Sequence, residues 1–255
     1  MATSNNSKPS IPILTPALVA LQFLSVMPPV IRRAFTDEEL GAAVGYFPFV
    51  GLVIGAGITG SFFLLSAYLP TSIVVALVLG LWVLLTGALH VDGFLDTCDG
   101  LFGGRSPEQR LEIMRDERLG AYAFAGGFFL LTTKYMALIE TISVRTLLLV
   151  PMISRWAVSF ALVAFPYARE IGLGRTMKDQ ASWGQIVLTT LLTLIASWWL
   201  MPMAGLFLMA ISAVVMLACG WFVCRKIPGL TGDVYGAICE MCEVVMLVIL
   251  ASEVL

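Results

Sequence analysis

The chain has 255 residues, 59% hydrophobic and only 13% charged, about half the charged share of a soluble domain. Fifteen Lys and Arg against 17 Asp and Glu give a formal charge of −2, which excludes a nucleic-acid binder held by a strong positive field; so apolar a composition also excludes a disordered chain. What remains is an all-α, polytopic integral membrane helix bundle, a single transmembrane domain over residues 1–255.

The start, from Ser4 to Ser10, lacks the basic run and small-residue cleavage pattern of a signal peptide, so the protein is expected to stay in the membrane. Leu14 to Met27 is apolar but short, with Pro16 near its start and Pro28-Pro29, Arg32 and Arg33 after it; it reads as an N-terminal interfacial or re-entrant helix. No charged side chain occurs between Glu39 and Asp92, nor between Asp179 and Arg225. A crossing helix needs roughly 20 apolar residues, so each stretch holds two, with turns at Pro70 and Pro202. With the other apolar runs, the pattern predicts seven spans near 41–69, 71–89, 119–139, 146–166, 185–201, 203–224 and 234–252. Gly41/Gly45 and Gly51/Gly55 in the first span suit close backbone approach between helices.

Alternation over these spans gathers Lys8, Arg32, Arg33, the arginines of 105–118, Arg169, Arg175, Lys178, Arg225 and Lys226 on one side and leaves Arg145 on the other. Basic residues in short loops stay inside, so the N-terminus and the 91–118 loop are expected to be cytoplasmic. Five cysteines argue against a disulfide framework, and Cys239 and Cys242, a CxxC within the last span, read as packing.

Function concentrates in 91–118, which holds Asp92, Asp96, Asp99, Glu108, Glu112, Asp116 and Glu117. On a helix, steps of four and three place Asp92, Asp96 and Asp99 within about 60° of one another. Three carboxylates on one face repel unless a cation neutralises them, and oxygen ligands favour a hard ion such as Mg²⁺, Mn²⁺ or Ca²⁺. Arg105, Arg110, Arg115 and Arg118 follow in the same stretch; the planar guanidinium suits phosphate oxygens. Metal, acids and arginines together point to phosphoryl-transfer chemistry.

Ser106-Pro107-Glu108-Gln109 reads as the capped start of a second short helix. On that helix Glu112 and Asp116 would share a face, either completing the metal site or pairing with Arg115. His90, the one histidine, would point about 160° from Asp92 on an unbroken helix; it is either a general base beside the acids or a boundary side chain held by a hydrogen bond. Arg155 lies mid-span and Asp233 just before the last span, and both are assigned to the site as contacts for substrate phosphate. Lys134, Glu240 and Glu243 lie within spans with no role favoured.

The stretch His90-Val-Asp92-Gly-Phe-Leu-Asp96-Thr-Cys-Asp99-Gly100 resembles the integral-membrane cobalamin synthases, the adenosylcobinamide-GDP ribazoletransferases. Tyr46-Phe47-Pro48 with Gly51, Met114-Arg115-Asp116 with Arg118 and Gly120, Arg155, Tyr167-Ala-Arg169 to Gly172-Leu-Gly174, and Gly229-Leu-Thr-Gly232-Asp233 support the resemblance from about residue 20 onward. It implies that a ribose hydroxyl of α-ribazole, or of its 5′-phosphate, attacks the cobinamide-attached phosphorus of adenosylcobinamide-GDP and releases GMP, with Mg²⁺ required. Asp92, Asp96, Asp99 and Asp116 would hold the metal, Arg105, Arg115 and Arg118 would neutralise phosphate oxygens, and an aspartate or His90 would take the proton. The resemblance further implies a bacterial inner-membrane location, with self-association or association with other corrinoid-pathway enzymes left open. Two other readings compete with it. A CDP-alcohol phosphotransferase fits Asp96-Thr-Cys-Asp99-Gly100 but lacks the later aspartates of that motif. A divalent-cation transporter would place acids at mid-depth in broken helices.

Overall fold

The computed structural model describes residues 14–252. The polar start with Lys8 lies outside them. The described residues form twelve α-helices and no β-strand: α1 (Leu14–Leu24), α2 (Asp37–Ala43), α3 (Phe47–Ser66), α4 (Thr71–Leu85), α5 (Leu89–Gly103), α6 (Pro107–Ile113), α7 (Ala121–Thr141), α8 (Val144–Ala164), α9 (Leu173–Gln180), α10 (Trp183–Leu200), α11 (Pro202–Cys224) and α12 (Gly232–Ala251).

Six helical stretches are long and apolar enough to cross a membrane, and α4 with α5 makes a seventh if that bent pair counts as one. A 3₁₀ turn at Val44–Tyr46 joins α2 to α3, so the first expected span is continuous over Asp37–Ser66. Its start is fixed by a capping box between Thr36 and Glu39, and Arg33 pairs with the Glu39 carboxylate at 2.6 Å. Pro70 precedes α4 and Pro202 opens α11, where the sequence put the turns. The apolar α1 has 11 residues, too few to span.

The second expected span differs. α4 ends at Leu85, and α5 departs at 85° to it. The cause is local: Gly87 takes φ 60°, and the Gly87 and Ala88 amides donate back to the Leu84 and Val83 carbonyls, a Schellman ending. Ala88 also has a positive φ, 57°, which a side chain adopts only at a cost. The acidic stretch is therefore no open loop. α5 carries it through Gly103, packed against α12 and α7.

α8 and α12 form the centre, with 78% and 61% of their span residues buried, against 33% or less in the other spanning helices. That leaves the outer helices to face lipid along most of their surface. Pro151 cannot donate to the Leu147 carbonyl one turn earlier in α8. There α3 comes close: a Cβ added at Gly55 would lie 2.5 Å from that carbonyl oxygen, so glycine is what permits this approach. Cys239 and Cys242 are buried free thiols in α12, as expected of packing residues.

Candidate active site

α5 places its three aspartates as the spacing predicts. Asp92, Asp96 and Asp99 line one pocket of about 230 Å³, together with Arg115, Asp116, Glu117 and Arg118 from the segment between α6 and α7. Five carboxylates thus meet two guanidiniums. Asp92, Asp233 and Asp99 each repel the charge on Asp96, and Arg169 offsets part of that repulsion. Neither Asp92 nor Asp96 has a hydrogen-bond or ion-pair partner for its carboxylate among the described residues.

Asp99 has a further task. Its carboxylate accepts the Gly120 amide at 2.7 Å and the Ala123 amide at 2.9 Å, capping the first turn of α7 and locking it to α5. Asp116 is gripped by Arg118, whose guanidinium donates at 2.6 Å and 3.0 Å. Those hydrogen bonds hold the Asp116 carboxyl down to about 2, so it is an anion at any ordinary pH. The expected shared face of Glu112 and Asp116 on one helix is not met, because α6 stops at Ile113 and Asp116 lies beyond its end. Glu117, which the sequence analysis did not single out, lines the pocket instead.

Arg105 is a correction. It lies outside the pocket lining, exposed at the start of α6, where its backbone amide donates to Gln109. Arg110 donates to the Lys226 carbonyl at 3.1 Å, tying α6 to the loop before α12.

His90 and Arg155 are corrections of another kind. His90 is buried on a different face of α5, where the Arg155 guanidinium donates to its Nδ1 at 3.3 Å. An arginine can only donate, so Nδ1 carries the lone pair and the ring proton sits on Nε2, which leaves no basic nitrogen for a substrate. Arg155 is no phosphate contact, because it pairs with Glu243 and bonds the Ser154 hydroxyl. Lys134 completes the set, pairing with Glu243 and, at 2.7 Å, with Glu240. Two buried cations thus meet two buried anions across α7, α8 and α12, with Trp82 of α4 presenting its ring 4.9 Å from the Lys134 ammonium.

Asp233 opens α12, held by Arg169 at 2.8 Å and the Thr231 hydroxyl at 3.1 Å. Backbone bonds of 2.8 Å in both directions between Pro166–Ala168 and Leu230 bring the two loops together, so residues 64 apart in sequence meet. Asp233 is not in the acidic pocket's lining; with Asp92 it lines a second, mostly apolar cavity at the start of α5. Arg169 was missed as a site residue, and only its place in a family-like stretch signalled it.

Whether these residues suit Mg²⁺ rests on their donors. Asp92, Asp96, Asp99 and Asp116 offer only hard oxygens, the preference of that ion. Among the described residues no three His, Cys, Asp or Glu side chains converge tightly enough to hold a metal by themselves.

Residues 16–251 match the family described as Cobalamin-5-phosphate synthase, CobS. An adenosylcobinamide-GDP ribazoletransferase of Geotalea daltonii is 35% identical, covering 92% of this chain and 96% of its own length. One of Desulforamulus reducens is 36% identical over the same shares, and one of Pseudomonas savastanoi is 36% identical over 93% and 99%. No solved structure matches the chain. The family match runs from α1 into α12 and takes in every acid of the α5 pocket, so the chain belongs to the cobalamin-5-phosphate synthase family.

Proposed function

We propose that this multi-pass membrane protein is an adenosylcobinamide-GDP ribazoletransferase that works with Mg²⁺ by phosphoryl-type transfer, in the last steps of cobalamin assembly. Family membership and the names of the relatives support the substrates. The observation that carries the chemistry is the face of α5, where Asp92 and Asp96 stand unpartnered in a pocket rimmed by Arg115 and Arg118.

A ribose hydroxyl oxygen of α-ribazole, or of its 5′-phosphate, bonds to the phosphorus attached to cobinamide. The anhydride P–O bond breaks, GMP leaves with the electron pair, and the hydroxyl proton passes to a carboxylate. A divalent cation held in the acidic pocket would supply neutralisation of the charge spread over the phosphate oxygens. Asp92, Asp96, Asp99 and Asp116 would hold that ion, with Asp99 fixed by the α7 amides and Asp116 by Arg118. Arg115 and Arg118 bind and orient the pyrophosphate. His90 is committed to Arg155, so an aspartate takes the proton, and Asp92 is best placed because it lines both cavities. The distribution of basic residues supports a cytoplasmic position for the acidic pocket, in a bacterial inner membrane.

Purified wild-type protein is expected to release GMP from adenosylcobinamide-GDP and α-ribazole only with Mg²⁺ present, and chelation should abolish the release. An undiminished rate in excess chelator would remove the metal from this mechanism.

A further inference from the structure

Beside the acidic pocket lies the second cavity, of about 150 Å³, enclosed by residues of α1, α3, α5, α8, α9 and α12. We infer that this cavity is the acceptor subsite, holding the flat, apolar base of the ribonucleoside with its ribose turned toward Asp92. The inference rests on the transferase reading and adds to it where the acceptor binds and which residues select it.

Position comes first. Asp92 is the one residue common to the linings of the two cavities. A nucleoside seated here therefore presents its ribose at the wall shared with the pocket assigned to phosphate. A donor held in the acidic pocket meets that hydroxyl across Asp92 without either ligand displacing the other.

Chemistry agrees. The cavity is mostly apolar, with Phe23, Phe47, Val158, Leu162, Met177 and the Tyr235 ring among its walls. Its acidic groups, Asp92 and Asp233, both belong to the α5–α12 side. An apolar body with a polar side suits a ligand with a heteroaromatic ring and a sugar, and carboxylates are good acceptors for ribose hydroxyls. Asp233 is fixed for that purpose by Arg169 and Thr231.

Size decides between the two substrates. An apolar cavity of about 150 Å³ accepts a benzene-sized ring, so it takes one ring of the acceptor's base and excludes the macrocyclic donor. The second fused ring of the base would be admitted by Met177, an adaptable side chain on the short helix α9. Tyr235 is itself braced, stacked on Tyr167 at 6.2 Å, and Gly174 leaves room for that Tyr167 ring.

The test uses Val158, which lines the cavity from α8 and is none of the residues assigned to the chemistry. GMP release is measured in detergent with either substrate varied. Val158→Phe is expected to raise the KM for α-ribazole about tenfold or more while the KM for adenosylcobinamide-GDP stays within about twofold. Val158→Ala is expected to raise kcat/KM for a naphthimidazole riboside relative to α-ribazole by about fivefold or more. An acceptor KM unchanged in folded Val158→Phe, or equal rises in both KM values, overturns the subsite. Should Val158→Phe fail to fold, Val158→Ala decides alone, and an unchanged preference between the two ribosides overturns it. If the wild type releases no GMP at all, the transferase reading itself falls, a result distinct from normal turnover with unaltered acceptor selection.

Discussion

On one face of α5, His90 meets Arg155, Glu243, Lys134 and Glu240, where each charge has an opposite partner and almost no solvent reaches any of them. On another face Asp92 and Asp96 stand in a pocket with more acids than bases and no partner of their own. The same helix thus supports two kinds of polar group. In the first, desolvation is offset by neighbours already in place, and removing one member strands the others. In the second the imbalance persists in the protein alone, and an incoming cation and phosphate can remove it. For charges within a membrane, the presence of an ionisable residue says less about function than whether its charge is already matched.

The largest expected effect lies on the matched face. Glu243→Gln leaves Lys134 and Arg155 with Glu240 as their remaining buried anion, and should cost about 3–5 kcal/mol of stability, read as a lowered unfolding midpoint in detergent. Asp96→Asn should do the reverse: GMP release falls about 100-fold or more, while the unfolding midpoint holds or rises because repulsion from Asp92, Asp99 and Asp233 is relieved. Equal loss of stability in the two variants would erase the contrast between the faces.

Smaller effects sharpen it. Arg115→Ala should lower kcat/KM about 10- to 100-fold, whereas Arg105→Ala, outside the pocket, should leave it unchanged. A comparable loss in both would return Arg105 to the phosphate site. Smallest is Ala88→Gly at the left-handed residue between α4 and α5, expected to add about 1 kcal/mol of stability with turnover intact. A destabilised Ala88→Gly would mean that the alanine side chain contributes packing that outweighs its backbone conformation.

The span pattern and the shared face of Asp92, Asp96 and Asp99 were legible because both are periodic, and periodicity is local. The turn at Gly87 carried a local signal too, a glycine where a helix ends, but an unbroken apolar run hid it: hydropathy registers depth and is blind to direction. Partners could not be read. Arg155 and Glu243 lie 88 residues apart, and nothing in either one's surroundings says that they meet each other and not a substrate. The same blindness grouped Arg105 with Arg115, since only the course of α6 decides which one faces the acids.

Pairing across the last helix has a consequence for how the protein is made. Lys134 and Arg155 leave the ribosome well before Glu240 and Glu243, by on the order of ten seconds at ordinary translation speeds. Until α12 inserts, two cations sit in the bilayer without the anions that neutralise them. A nascent chain stalled short of Thr231 therefore still lacks both carboxylates that match its buried cations.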